Sequence, residues 1–193
     1  MAESTISKFK STLIGGGARP NLFEVTIPGN IPGGGTLDDT FSILCKAAQL
    51  PASNIASIDV PFRGRTFKVA GERTFDPWTI TIINDENFKI RQIMENWMNF
   101  IGQYGDGSGA TDPGTYMVDA YVKQLKRSAA NISRNGDGTG NGLEQNTAAT
   151  YKFYSIFPTA VSAIDLSYDS ADTIEEFTVE FQVQYWTPTT AEV

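Results

Sequence analysis

Hydrophobic and polar residues alternate with a period of two in residues 76–83 and 174–185. Successive side chains leave a β-strand on opposite sides, so this alternation predicts strands with one face in the core and one in solvent. In the first segment Trp78, Ile80 and Ile82 alternate with Thr79 and Thr81. In the second, the apolar face is Phe177, Val179, Phe181, Val183 and Tyr185, and the polar face is Thr178, Glu180, Gln182 and Gln184.

Similar patterns predict further strands over residues 22–27, 40–50, 116–125, 151–157 and 163–168. Segment 40–50 is also compatible with a short helix. We favour a strand there because the segment is short and ends at Pro51. The strand over 151–157 is expected to end at Pro158.

Residues 57–69 have the pattern of a β-hairpin whose turn contains Gly64. Pro61 lies in its first arm and cannot donate a backbone hydrogen bond, which indicates an edge or projecting position. The basic residues of this region are Arg63, Arg65, Lys68 and Arg73. They form either an exposed tip or a contact with an acidic face of another copy, and both interpretations stay open.

One amphipathic helix is predicted over residues 85–101. Its apolar stripe consists of Ile90, Ile93, Met94, Trp97 and Ile101. Asn84 or Asp85 can cap its start and Gly102 can end it. Many strands around one helix, without βαβ alternation, predict a mainly β fold, a sandwich or barrel with the helix against one open face of the sheet.

The length of 193 residues favours one domain. We expect residues 1–19 to be a flexible N-terminal arm and residues 20–193 to form a single β domain. Within it, a Gly/Asn-rich stretch over about 128–150 is expected to be a loop. No segment approaches the ~20 apolar residues of a membrane helix, and no signal peptide is visible, so we expect a soluble protein made in a cytoplasm, without membrane insertion.

The sequence predicts no catalytic, cofactor or metal site. It contains no histidine, which excludes the usual serine triad, and one cysteine, Cys45, which is expected to be a buried thiol. The glycine-rich run over residues 135–142 contains one charged residue, Asp137, too few for a calcium loop. Glu175 and Glu176 are neighbours on a strand, so their carboxylates point to opposite faces.

Three stretches together resemble the tail tube proteins of contractile-tailed, T4-like bacteriophages. They are residues 18–25, with the sequence ARPNLFEV, residues 60–78 leading into Asn84-Asp85-Glu86-Asn87, and residues 157–166 followed by the terminal strand. The similarity runs in order through most of residues 18–186. The stretch over about 128–150 is longer than the usual turn of the family.

The resemblance implies a β-sandwich or barrel-like protomer that forms hexameric rings with a continuous inner β-barrel. Rings would stack into a hollow tube inside a contractile sheath, and genome DNA would leave through the bore without specific binding. The implied partners are other copies of the chain, the sheath protein, baseplate and tail-terminator proteins, and a tape-measure protein in the lumen. The implied location is the virion tail, assembled in the host cytoplasm.

A net charge of −7 suits a conduit for DNA, because a basic lumen would bind phosphates. We therefore expect a neutral to acidic bore, for which the candidate lining residues are Thr79, Thr81, Glu180, Gln182 and Gln184. The hairpin at 57–69 is expected to contact a neighbouring copy, in the adjacent ring. The N-terminal arm and the loop at 29–39 are further interface candidates.

Two alternatives remain from the sequence. The tube of a contractile secretion or bacteriocin particle, which carries protein or ions, has the same requirements, and the tube protein of type VI secretion systems is similar in fold. A monomeric β-sandwich binding module, for instance for carbohydrate, needs clustered exposed aromatic residues, whereas Trp78, Trp97 and Trp186 lie in separate elements. An enzyme is the least favoured class.

Overall fold

A computed structural model describes residues 2–13, 17–37, 39–126, 147–169 and 172–189. Its helices are α1 (Ala2–Thr12), α2 (Asp39–Leu44), α3 (Lys89–Ile101) and α4 (Pro113–Tyr116). Its strands are β1 (Phe23–Thr26), β2 (Cys45–Ala48), β3 (Ser53–Phe62), β4 (Arg65–Phe75), β5 (Trp78–Ile83), β6 (Val118–Leu125), β7 (Thr147–Val161), β8 (Glu176–Gln182) and β9 (Tyr185–Thr189). The predicted mainly β class with a flanking helix is confirmed.

Seven strands form one antiparallel sheet in the order β1-β6-β7-β8-β5-β2, and β9 also pairs with β7. Strands β8 and β9 pair in succession along β7, from Val161↔Val179 to Thr150↔Thr189. The predicted terminal strand over 174–185 is therefore present, but it is interrupted between Gln182 and Tyr185 and extends further along β7.

The sheet is strongly curved around the core. Trp78 pairs with Phe181 and Phe181 with Pro158, five residues from Phe153 on β7. In a flat sheet the Cα atoms of Trp78 and Phe153 would lie about 19 Å apart. Their rings nevertheless stack with centroids 4.8 Å apart. The two halves of the sheet therefore fold toward each other, and a positive φ of 53° at Ser155 marks an irregular point in β7 between them.

Helix α3 covers the open side of this curved sheet. Four residues of its predicted stripe are buried and the fifth, Ile101, is partly buried, and Trp97 contacts Phe181 with ring centroids 5.9 Å apart. The helix ends at Gly102 as predicted, but it begins at Lys89 rather than at 85. Phe88 takes the cap position with a φ of 54°, and the Asp85 carboxylate, four residues before the first turn, accepts a hydrogen bond from the Lys89 amide at 3.1 Å.

Two strand predictions are wrong in part. Segment 40–50 is divided between α2 and β2. Phe41, which lies in α2, is buried in the core, and three residues of β2 pair with β5. Strand β7 continues through Pro158, because a register shift after this residue places the proline at an irregularity where a missing donor is tolerated.

The strand predicted over residues 163–168 is absent. The Ser162 amide still donates to the carbonyl of Thr178, but none of the described strands pairs with the residues that follow. Leu166 is 80% exposed. Alternation alone could not reveal that this segment pairs with none of the described strands.

Helix α1 lies within the segment predicted to be a flexible arm, and the sequence pattern gave no indication of it. The division of the chain into an N-terminal arm, residues 1–19, and a single β domain, residues 20–193, stays a prediction. Of the predicted loop at about 128–150, residues 147–150 belong to β7, and the rest, with the glycine-rich run at 135–142, lies outside the described residues.

Candidate assembly surfaces

Strands β3 and β4 form a hairpin that is separate from the main sheet. From Asn54 to Thr74 every residue except Gly71 is exposed. At its base the two arms are joined by a hydrogen bond from the Asp76 amide to the Ala52 carbonyl, and Phe75 contacts Trp186 of the main sheet edge to face. The predicted hairpin therefore exists, is longer than expected, and projects into solvent.

The register gives this hairpin one apolar face. Directly paired residues of an antiparallel ladder lie on the same side. The pairs Ile58↔Val69 and Val60↔Phe67 therefore share a face, and Phe62 extends it to the tip. Phe62 and Phe67 are 65% and 66% exposed. A lone two-stranded hairpin is marginally stable in water, so an exposed apolar side indicates a surface that is covered by a partner.

The structure separates the basic residues that the sequence grouped together. Arg63 and Gly64 form the two-residue turn, with φ angles of 47° and 80° that suit a type I′ hairpin. Arg65 pairs with Phe62 beside the turn. Lys68 lies on the opposite face, where its ammonium is 2.9 Å from Asp59.

The other two predicted contact residues lie away from the turn. Arg73 pairs with Ile55 near the base, and Pro61 pairs with Thr66 on the polar face. The tip therefore contains Arg63 and Arg65 of the predicted set. The apolar face was not predicted from the sequence, although a two-residue turn at Arg63 and Gly64 aligns the apolar positions of both arms.

Most of the residues proposed to line a bore are gathered on one solvent face. Thr79 pairs with Glu180 and Thr81 with Thr178, on the side of β5 and β8 opposite to the core. Gln182 follows on the same face of β8 and is half-buried, while Gln184 lies exposed between β8 and β9. The face is thus polar and carries two carboxylates, Glu180 and Glu176, the second paired with Lys46, but its position relative to a bore stays a prediction.

Over β6, β7 and β9, the same side of the sheet carries an ion pair packed among aromatic rings. The Lys152 ammonium lies 3.0 Å from Asp119 and 4.4 Å from the ring centroid of Tyr154, which stacks on Tyr185. The hydrogen bond with Asp119 raises the pKa of Lys152. This ionic and aromatic cluster was not found in the sequence, because its members come from three separate segments.

The described strands of one copy do not close into a barrel. Strands β1 and β2 are its two ends, each paired on one side. A groove of about 640 Å³ lies between them, lined by residues that include Phe23, Ile43 and Lys46. Two sheet edges are therefore available for pairing with other chains.

Within the described residues, no group of three or more His, Cys, Asp and Glu side chains is arranged to hold a metal ion. None of the described helices is long and apolar enough to cross a membrane. Cys45 is buried as predicted, and this burial raises the pKa of its thiol to about 12.

Solved structures with similar folds come from contractile particles. A chain in the cryo-EM structure of the anti-feeding prophage baseplate aligns with a TM-score of 0.62 at 9% identity, over 92% of this chain and 98% of that chain. A chain in the sheath-tube complex of PVC, an extracellular contractile injection system in the extended state, aligns with a TM-score of 0.58 at 11% identity, over 94% and 97%.

Sequence comparison gives a closer relationship. The tail tube protein gp19 of Enterobacteria phage T4 is 33% identical over 169 residues, which is 88% of this chain and 90% of the relative. A family model described as phage tail tube protein matches residues 18–189. The chain therefore belongs to the phage tail tube protein family.

Proposed function

We propose that copies of this chain form the inner tube of a contractile phage tail, the conduit through which genome DNA is ejected into the host. The observation that carries this proposal is the projecting hairpin, whose exposed apolar face requires a partner, in a member of the tail tube family. The role is structural, and the tube is part of the virion tail.

The building block of this tube is a hexameric ring with a continuous inner β-barrel. Free sheet edges invite pairing, and closure of a ring removes them. The two edge strands β1 and β2, each paired on one side among the described strands, support such pairing between neighbouring copies.

The bore is neutral to acidic, and the face of β5 and β8 that carries Thr79, Thr81 and Glu180 lines it together with Gln182 and Gln184. Polar side chains with few cations let DNA pass, because each phosphate contact from a lysine or arginine would slow its movement. The acidic net charge of −7 supports this assignment. A strongly positive bore in an assembled tube would contradict it.

The hairpin joins each ring to the next. Its length and its separation from the main sheet allow it to reach beyond its own protomer. Covering its apolar face would stabilise the contact by about 25 cal/mol for each Å² of apolar surface removed from water.

The further partners are the tail sheath, baseplate and tail-terminator proteins outside the tube and a tape-measure protein inside it, with assembly in the host cytoplasm. Similarly folded chains occur in a sheath-tube complex and in a baseplate, which supports the sheath and baseplate proteins as partners.

The second candidate is the tube of a secretion or bacteriocin particle. It is favoured by the likeness to a chain from an extracellular contractile injection system. The two functions differ in cargo, so the contents of purified particles and the genes beside this one distinguish them.

Negative-stain electron microscopy of the purified protein tests the proposal, with native mass spectrometry to count subunits. We expect six-fold rings or tubes, alone or on a nucleating baseplate. A protein that stays monomeric at every concentration, and with a baseplate present, would instead be the monomeric binding module.

A further inference from the structure

The hairpin and the loop before β8 lie at opposite ends of the same pair of strands. The hairpin leads directly into β5 at Trp78, which pairs with Phe181. At the other end of β5, Ile83 pairs with Glu176, the first residue of β8. Five residues of strand separate these ends by about 17 Å. The base of the hairpin and the loop before β8 are therefore attached at the two opposite ends of this strand pair.

The hairpin end is basic and apolar. Residues 53–75 contain four cationic side chains and two carboxylates, Asp59 and Glu72. Asp59 is paired with Lys68. Arg63 and Arg65 have no carboxylate partner within the described residues, and they flank the exposed ring of Phe62.

The loop end is acidic and apolar. We call described residues 162–169 and 172–175 the acidic loop, in which four carboxylates occur without a lysine or arginine. A groove of about 390 Å³ is lined there by Asp165, Leu166, Tyr168 and Glu175, among others. Leu166 and Tyr168 are fully or largely exposed.

We propose that the hairpin tip of one copy docks on the acidic loop of a copy in the adjacent ring. This inference rests on the proposed function and names the surface that receives the hairpin. The two surfaces are complementary in charge, and both present large apolar side chains beside the charges. The contact joins two different surfaces, so it is heterologous, and between adjacent rings such a contact can repeat along an open filament, as a tube of stacked rings requires.

The test reverses the charge of each surface separately. The tip variant carries Arg63→Glu and Arg65→Glu, and the loop variant carries Asp165→Arg and Asp169→Arg. All four side chains are exposed, and within the described residues the two carboxylates accept no hydrogen bond. The matched controls keep the charges, with Arg63→Lys and Arg65→Lys in one variant and Asp165→Glu and Asp169→Glu in the other.

Each reversed variant alone places like charges at the contact, so we expect at least about a tenfold loss of sedimentable tubes, with rings retained. An equal mixture should restore tubes, because an acidic tip then meets a basic loop and a basic tip meets an acidic loop. The charge-conserving controls should polymerise as the wild type does. Thermal melting checks that each variant is folded.

Tubes of normal yield from either reversed variant alone would overturn the proposal. So would two defective variants that remain defective when mixed, since the tip would then bind a different surface or another protein such as the sheath. These outcomes differ from failure of the proposed function, in which the wild-type chain itself forms neither rings nor tubes.

Discussion

Trp78 and Trp97 are equally buried, but their indole N–H groups differ in hydrogen bonding. The Nε1 of Trp97 donates to the carbonyl of Tyr116 at 2.8 Å and links α3 to the end of α4. The Nε1 of Trp78 has no hydrogen-bond partner among the described residues. Trp78 therefore acts through its stacking on Phe153, whereas Trp97 also fixes a backbone position.

This difference predicts unequal effects of the same substitution. Trp97→Phe should lower the free energy of unfolding by about 1–2 kcal/mol more than Trp78→Phe, because only the former leaves a carbonyl without its donor. Both changes remove the same atoms, so each serves as the control for the other. Urea unfolding followed by circular dichroism measures both, and equal losses would contradict the prediction.

Burial also controls the chemistry of Cys45. Burial, opposed in part by a backbone hydrogen bond with Ala47, raises the pKa of its thiol from 9.0 to about 12. The thiolate is the reactive form, so the native protein should react slowly with a disulfide reagent at pH 8 and rapidly in denaturant. Rapid labelling of the native state would show that the thiol is accessible.

The same shift gives a pH dependence with a defined sign. The folded state holds the proton more tightly than the unfolded state, so this contribution to stability is complete below pH 9.0. It declines as the pH rises from 9.0 to about 12. A Cys45→Ala variant, which lacks the titrating group, should lose less stability over this range.

At the scale of elements, the loop after β1 is fitted closely to α3. Gly33 and Gly34 both have positive φ angles, of 86° and 97°. A Cβ at Gly33 would lie 2.4 Å from the backbone oxygen of Asn96, whereas a Cβ at Gly34 would meet nothing within 4 Å. The two adjacent positions therefore separate the cost of the backbone conformation from the cost of a clash.

Gly34→Ala should destabilise the protein by about 1–2 kcal/mol through backbone strain alone. Gly33→Ala should cost about 2–4 kcal/mol, because overpacking against α3 adds to that strain. Chemical denaturation measures both variants. Similar values would show that the loop moves away from the helix without cost.

The hairpin is the element that we expect to act in contacts between copies and not in the stability of one copy. Phe62→Ser with Phe67→Ser should leave the melting temperature within about 1 °C of the wild type, because surface substitutions usually cost little. Tube formation should be lost, because the apolar contact is removed. Phe88→Ser is the control, since Phe88 is also exposed but lies on the body. Equal polymerisation of all three proteins would exclude the apolar face from assembly.

At the scale of the whole molecule, the prediction concerns the bore. Glu180→Lys should allow tubes to form but should make them retain double-stranded DNA fragments at low salt, because a ring of lysines binds phosphates. The retention should disappear as salt is raised. Wild-type tubes are the control. No difference in DNA retention would place Glu180 outside the lumen.

The sequence predicted most of the strands because burial on one face leaves a period of two. The alternation around Trp78 and Phe181 therefore predicted both β5 and β8. It failed at residues 163–168, since a pattern reports which side chains suit a strand and not whether a partner strand exists beside them. The start of α3 was placed too early because Asp85 and Glu86 resemble a first turn, while the chain takes a left-handed conformation at Phe88.

The sequence by itself determined the family, the mainly β class, the stripe of α3 and the polar character of Thr79, Thr81 and Glu180, because these depend on local periodicity and on residue identity. The tertiary structure decided which residues meet. It separated Lys68 from Arg63 and Arg65, gathered the apolar side of the hairpin, and attached the basic hairpin and the acidic loop at opposite ends of one strand pair. These facts depend on strand register and sheet curvature, which arise from contacts between distant segments.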